Sequence, residues 1–511
     1  MGGNDTPLSG PDLTAGVRLN DLVDGGLLLG HAHGEAVVLA RRASEVFAVG
    51  ATCTHYSGPI AEGLIVGGEV RCPWHHARFD LCTGAPAAPA LNPLPCYRVE
   101  QRDGQVFVAE KLSPPRAPEL AGPARVLIVG AGAAAEACAE TLRREGHRGA
   151  ITMVGADEAP VDRPNLSKDY LAGTAPEDWV PLRSPDFFTE QRIDLMTGVR
   201  ATALDPKDKK LTLSDGRKLA YDALVLATGA TPNRLDLPGA ERVLYLRTLA
   251  DSRAIIDRAK QIKGAIVIGG SFIGLETAAS LRARNVEVRV VARGKRPLER
   301  VLGPQLGDFV RALHEEHGVM FHFGRTLRSI DQDGVTLDDG SRLPGELIVA
   351  GVGVHPNVEL AQSAGLRIDR GVLVDEYLQT SAPGVFAAGD IARWPDPRSG
   401  SIRVEHWVVA ERQGQAAARN LLGRKLPFRD VPFFWSQHYD VPINYVGHCE
   451  RWDELTVHGS ISQKSCVVAY RVGGRLRAAA TVYRDRESLA IEAALGNDDQ
   501  QKIETILKGV Q

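Results

Sequence analysis

One pattern occurs twice in this chain: an apolar run, a glycine-rich turn and the start of a helix. Arg125 to Val129 leads into Gly130-Ala131-Gly132-Ala133-Ala134-Ala135, then a helix to about Arg144 and a strand at Ala150 to Val154. The second copy runs from a strand at Ala265 to Ile268 through Gly269-Gly270-Ser271-Phe272-Ile273-Gly274, a helix to about Arg284 and a strand at Glu287 to Val291. A tight glycine turn between strand and helix lets the amide groups of the helix N-terminus meet a pyrophosphate. One glycine fingerprint alone is a weak signal, but two in this context predict two α/β dinucleotide-binding domains and therefore two dinucleotides.

The residues before this repeat have a different pattern. Short β-type runs cover Gly26 to Gly30, Ala36 to Ala40, Val46 to Val49, Glu69 to Arg71 and a hairpin from Tyr97 to Ala109 that turns at Asp103-Gly104. That dipeptide suits the positive φ angles of a two-residue turn, so a small antiparallel β domain is expected. Pro114, Pro115, Pro118 and Pro123 then make a stiff extended linker. The expected division is multidomain: an all-β domain over 1–112, a linker over 113–123, a first nucleotide domain over 124–241 and 354–428, a second over 242–353, and a C-terminal α+β domain over 429–511.

Within the β domain, Cys53-Thr54-His55 is followed by Cys72-Pro73-Trp74-His75. One Cys-x-His pair and one Cys-x-x-His pair suit an asymmetric two-iron cluster, with the cysteines on one iron and the histidines on the other. Zinc is the rival for a Cys2His2 set. Zinc fingers, however, usually keep the cysteines together and the histidines together, whereas here each loop supplies one of each.

This arrangement resembles the Rieske [2Fe–2S] pattern over roughly the first 110 residues, with Cys53, His55, Cys72 and His75 as ligands and Gly58 and Pro59 at turn positions. His76 departs from it, standing where many Rieske proteins have glycine. Respiratory Rieske proteins carry a disulfide across the cluster loops. The corresponding places here hold Gly58 and Trp74. The resemblance therefore implies the ferredoxin type, in the lower half of the roughly −150 to +300 mV Rieske range. The remaining cysteines, Cys82, Cys96, Cys138, Cys449 and Cys466, are scattered and suggest neither a disulfide framework nor a redox dithiol.

With 60 basic and 63 acidic residues the net charge is −3, which gives no reason to expect nucleic acid. No stretch of 18 apolar residues occurs, and Met1-Gly2-Gly3-Asn4-Asp5 opens no signal-like segment, so no membrane and a cytoplasmic location are expected. Partners are then small molecules or proteins.

Three further segments, Arg163-Pro164-Asn165-Leu166-Ser167-Lys168, Leu226-Ala227-Thr228-Gly229-Ala230 and Val385-Phe386-Ala387-Ala388-Gly389-Asp390, carry a second resemblance over residues 124–511. The chain there is similar to FAD-dependent ferredoxin reductases and the apoptosis-inducing-factor group. The first nucleotide site is then expected to hold FAD. Gly130 supplies its tight turn, Gly132 the phosphate approach and Ala135 the close helix packing, while Asp157 or Glu158 accepts the ribose hydroxyls. The resemblance implies that Asp390 binds the ribityl chain and that Arg163 and Lys168 lie at the pyrophosphate and the flavin N5 edge. It also pairs Glu276 with Lys168 and brings Ala227, Thr228, Gly229 and Gly389 to the flavin.

The second site, Gly269, Gly270, Ser271, Phe272, Ile273 and Gly274, is expected to hold NADH or NADPH, with Gly353 added to the cofactor contacts. Ser271 replaces the expected second glycine, so its hydroxyl either crowds the phosphate path or donates to the phosphate. The ribose-binding acid is replaced by Ala292, followed by Arg293, Lys295 and Arg296. These residues suit a 2′-phosphate, and equally a solvated basic loop. Over the flavin's other face the resemblance places Glu405, His406, Trp407 and Trp435, the tryptophans to stack on nicotinamide and exclude water. His438-Tyr439-Asp440 has no second histidine at facial-triad spacing and reads as fold.

The expected chemistry is hydride transfer from NAD(P)H to FAD, then single electrons through the cluster to an oxygenase, cytochrome P450, ferredoxin or small-molecule acceptor. A redox-responsive interaction protein with slow NADH oxidase activity is the alternative. The C-terminal domain is expected to cover the site and offer a homodimer surface.

Overall fold

The computed structural model describes residues 8–114 and 119–510. Pro115, Pro118 and the opening Met1 to Asp5 lie outside them. The chain forms two compact units: one takes Met1–Leu120, Arg144–Gly146 and Arg484–Gly509, the other the remainder.

In the first unit the alternating β runs make a six-stranded antiparallel sheet in the order Val17–Arg18, Gln105–Lys111, Cys96–Arg102, Glu45–Gly50, Glu35–Arg42, Leu27–Ala32. The Asp103-Gly104 turn has φ of 52° and 71°, the doubly positive geometry that its dipeptide favours. A second sheet runs Leu64–Val66, Glu69–Arg71, Arg78–Asp80, Pro86–Ala87. Val38, Val49, Ile60, Val70 and Phe79 are fully buried in one core with Cys53 and Cys72. The helices Asp485–Gly496 and Gln500–Gly509 belong to this unit as well. Ile503 and Leu507, four residues apart, form the buried stripe of the second helix. The expected 429–511 domain is thus divided between the two units.

The second unit contains two parallel five-stranded sheets of matching order. One runs Ile193–Met196, Ala150–Val154, Arg125–Val129, Ala223–Leu226, Val385–Ala387; the other runs Val319–Phe323, Glu287–Ala292, Gly264–Ile268, Leu347–Ala350, Leu244–Tyr245. Their central strands are buried on both faces, which is why they read as unbroken apolar runs. Each glycine turn follows a central strand, and each first glycine is needed for the same reason. Gly130 has φ 134° and a Cβ there would lie 2.2 Å from the Ala227 carbonyl oxygen; Gly269 has φ 104° and its Cβ would lie 2.3 Å from that of Gly351. The first helix spans Ala133–Arg144 and the second Phe272–Ala283, so Gly274 lies inside the first helical turn rather than in the loop before it.

A five-stranded antiparallel sheet in the order Phe433–His438, Val441–Gly447, Arg475–Val482, Ser465–Val472, Glu454–Ser460 completes this unit. Among the described residues, no helix is long and apolar enough to cross a membrane.

Candidate functional site

In the first unit, two short loops present the four expected metal ligands. The Cys53 amide donates to the Gly58 carbonyl at 2.8 Å and the Cys72 amide to the Ala77 carbonyl at 2.8 Å, so each loop closes back on its own cysteine. The two thiols share a hydrogen bond that holds Cys53 below and Cys72 above the ordinary thiol range. The His55 and His75 rings stand 5.0 Å apart, nearly perpendicular, and burial lowers His55 to about 3, the neutral form a metal requires. Cysteines and histidines thus sit in two pairs. Among the described residues, no three His, Cys, Asp or Glu side chains converge as they would on one zinc ion.

The two places without cysteine face each other. A Cβ on Gly58 would lie 3.3 Å from the Trp74 ring and 2.6 Å from Cys72 Sγ. His76 has φ 58°, the left-handed backbone that favours glycine, which accounts for glycine being the family residue. Its fully buried ring is held by Glu492 of the helix Asp485–Gly496, Nδ1 to Oε2 at 2.8 Å, and Arg71 Nη1 reaches the same oxygen at 3.4 Å.

In the second unit, a cavity of about 840 Å³ is lined from both glycine turns. It gathers Gly130, Gly132, Asp157, Arg163, Lys168, Ala227, Thr228, Gly229, Gly389 and Asp390 with Ser271, Phe272, Ile273, Glu276 and Gly353, and with Glu405, His406, Trp407 and Trp435. Six expected residues are not on its lining. Ala135 is buried in its helix, Gly269 and Gly270 shape the second turn, Gly274 lies in the helix that follows it, and Arg293 is exposed. Glu158 points to solvent and pairs with Arg253 at 3.6 Å, so Asp157 is the member of that acidic pair that reaches the cavity.

Charge along the cavity is paired. Lys168 Nζ lies 2.9 Å from Glu276 Oε2 and 6.0 Å from the Trp435 ring, and Arg163 meets Asp157 at 2.9 Å. Arg247, which sequence reading missed, holds the Asp390 carboxylate at 2.7 Å. Gln413, also missed, accepts the Gly389 amide at 2.8 Å. Neither sits in a recognisable motif, so no local signal marks them.

Ser271 also has a structural partner set. Its hydroxyl donates to the Gly351 carbonyl at 2.7 Å and accepts the Gly274 amide at 3.2 Å, making it the N-cap of the second helix. A Ser271→Ala variant should therefore lose about 1 kcal/mol of stability, read as a lower melting temperature of the second unit. Of the basic residues after Ala292, Arg296 is engaged by Asp308 at 2.5 Å and by Glu299, while Arg293 and Lys295 are exposed.

Burial lowers the imidazoles of His406 and His438 to about 3, aided by His448 and Lys168 respectively. The unfolded chain protonates them near 6.5 and the folded one does not, so the unfolded state binds more protons as pH falls. Stability is full above about pH 6.5 and declines towards pH 3. Calorimetric melting between pH 7 and 4 should show that decline, and a His438→Phe variant a shallower one.

Paired Cys/His loops and a cavity between two nucleotide-binding sheets define an iron–sulfur oxidoreductase that uses dinucleotides. The chain belongs to the pyridine nucleotide-disulphide oxidoreductase family, whose model matches residues 124–414. A Rieske [2Fe–2S] domain matches 17–98 and a reductase C-terminal domain 433–506. Putidaredoxin reductase CamA of Pseudomonas putida is 39% identical over 71% of this chain and 89% of its own length. Human apoptosis-inducing factor 3 is 32% identical over 88% of this chain and 78% of its own length. Among solved structures, the ferredoxin reductase for the CYP199A2 system of Rhodopseudomonas palustris has a TM-score of 0.72 at 35% identity, covering 76% of this chain and all of that one. The protein is an FAD-dependent NAD(P)H oxidoreductase of the ferredoxin reductase type, and it carries a Rieske [2Fe–2S] cluster.

Proposed function

We propose that the chain draws electrons from NADH or NADPH and delivers them singly, through its Rieske cluster, to an oxygenase, P450 or ferredoxin acceptor. Bound FAD supplies the exchange between two-electron and one-electron chemistry, and the cluster carries single electrons. The observation behind this reading is a cavity that both glycine turns line, with the Lys168–Glu276 pair on its wall. The cavity fits the cofactor: a Cβ on Gly132 would project into open space with no atom within 4 Å, leaving room for a phosphate against the backbone.

In this reading Gly130, Gly132, Arg163, Thr228, Gly389 and Asp390 bind FAD, and Arg247 positions Asp390. Gly269, Ser271, Ile273 and Gly353 orient the nicotinamide nucleotide, and Arg293 and Lys295 are free to meet a 2′-phosphate. Lys168 brings positive charge to the flavin edge, which favours accumulation of negative charge there. Trp407 and Trp435 exclude water. Cys53, His55, Cys72 and His75 hold the cluster.

Stopped-flow absorbance with NADH and NADPH separately tests the scheme. Cluster bleaching should follow flavin bleaching; a cluster that stays oxidised while flavin is reduced rules the scheme out. A second reading, a redox-responsive interaction protein, is favoured by the likeness to apoptosis-inducing factor 3 across 88% of this chain. Slow flavin reduction with a change in oligomeric state on adding nucleotide would select it.

A further inference from the structure

The Lys168–Glu276 pair does not end at the cavity wall. Glu276 Oε1 accepts the Ser436 hydroxyl at 2.6 Å, and both side chains are buried. Ser436 Oγ lies 3.2 Å from His438 Nε2, His438 Nδ1 3.1 Å from His314 Nε2, and His314 Nδ1 3.4 Å from the Tyr439 hydroxyl. His314 and His438 are fully buried, whereas Tyr439 is half-buried and stacks at 3.5 Å on the exposed His317. An unbroken file of hydrogen bonds therefore runs from a carboxylate at the cavity to Tyr439, a side chain that is only half-buried.

Its direction follows from the donors. Ser436 gives its only proton to Glu276, so its oxygen must accept from His438 Nε2–H. A neutral His438 then accepts at Nδ1 from His314 Nε2–H, and His314 accepts at Nδ1 from the Tyr439 hydroxyl. Burial keeps both imidazoles neutral, with His314 held well below its usual range by burial, His438 and His317. Every donor points towards Glu276. The charged or titratable groups facing the file are Lys168 beside Glu276, and His317 and Arg282 beside Tyr439.

We propose that Glu276, Ser436, His438, His314 and Tyr439 form a proton file through which Glu276 exchanges one proton with solvent as negative charge enters and leaves the cavity. The file has two arrangements. With Glu276 ionised, all donors point inwards. When charge is added, solvent protonates Tyr439 as it passes its own proton to His314 Nδ1. His314 hands its Nε2 proton to His438, His438 hands its Nε2 proton to Ser436, and Ser436 protonates Glu276. One O–H bond is gained at Glu276 for each proton taken from water, every other donor is replaced on its opposite side, and no electron moves along the file. Withdrawing the charge reverses each hop and releases the proton. Ser436, His438, His314 and Tyr439 act through Glu276 and are positioning residues.

This inference rests on the reading that flavin occupies the cavity, and the tests separate the two. In the purified holoprotein before any reduction, ¹⁵N NMR of the imidazoles should show both His314 and His438 as Nε2–H tautomers; an Nδ1–H form of either in that state overturns the file. Infrared difference spectra on photoreduction should show a carboxylic acid band that vanishes in Glu276→Gln. A pH-indicator dye should report proton uptake about 100-fold slower in Tyr439→Phe, which keeps the ring, and in Ser436→Ala. Flavin bleaching with no carboxylic acid band, or with wild-type uptake rates in both variants, overturns the file alone. Failure to bind or reduce flavin overturns the underlying reading.

Discussion

A Cys72→Ser variant is expected to lose the red-brown colour and acid-labile sulfide of the cluster while its flavin is still reduced by NAD(P)H at close to the wild-type rate. Cys72 is 2% exposed, shares a hydrogen bond with Cys53, and packs so closely against Gly58 that a Cβ there would lie 2.6 Å from its sulfur. A serine oxygen there is a hard, poorly ionised ligand where the iron–sulfur centre takes thiolate. Cytochrome c reduction should fall about 100-fold, equivalent to ~2.7 kcal/mol of barrier. If it instead continues at the wild-type rate, electrons leave from the flavin directly and the cluster is not the outlet.

Glu492→Ala is expected to destabilise the cluster-bearing unit strongly. Glu492 is 3% exposed and His76 fully buried, so the alanine removes the buried carboxylate that His76 and Arg71 share. Removing one partner of a buried charged group typically costs about 3–5 kcal/mol. Because this carboxylate holds Arg71, directly before Cys72, and His76, directly after His75, the loss should fall on the cluster-bearing unit. Cluster absorbance should bleach at a lower temperature than in the wild type, with flavin release unmoved. Equal shifts in both would mean that the two units melt together. A His76→Gly variant should recover backbone ease at φ 58° yet remain destabilised, because the buried ring that bonds Glu492 is gone.

What could be read from the sequence is what the local backbone dictates. Gly130 and Gly269 are required by carbonyls packed against them, and Asp103-Gly104 by its turn, so the strands and glycine helices come out within a residue or two of expectation. The Lys168–Glu276 pair was legible only through resemblance, since the two residues are 108 positions apart. Contacts of that kind without a motif stayed hidden. His438 lacked a spaced histidine partner in the sequence, yet His314 reaches it from the helix Glu299–Glu316, as a hydrogen-bond partner rather than a metal ligand. Arg247 reaches Asp390 across 143 positions, and nothing local shows that the Ser271 hydroxyl donates to Gly351. Side-chain pairing at long range depends on how sheets and helices stack, which spacing does not encode.

The Glu492–His76 contact also sets a timetable. The two residues are 416 positions apart, and a ribosome adding about 5–20 residues per second takes roughly 20–80 s to travel between them. The ligand loops exist throughout that interval without the carboxylate that secures them. Assembly of the iron–sulfur centre is therefore best completed after translation, and a nascent chain stalled before the helix Asp485–Gly496 would carry an unfinished metal site however well its sheets had folded.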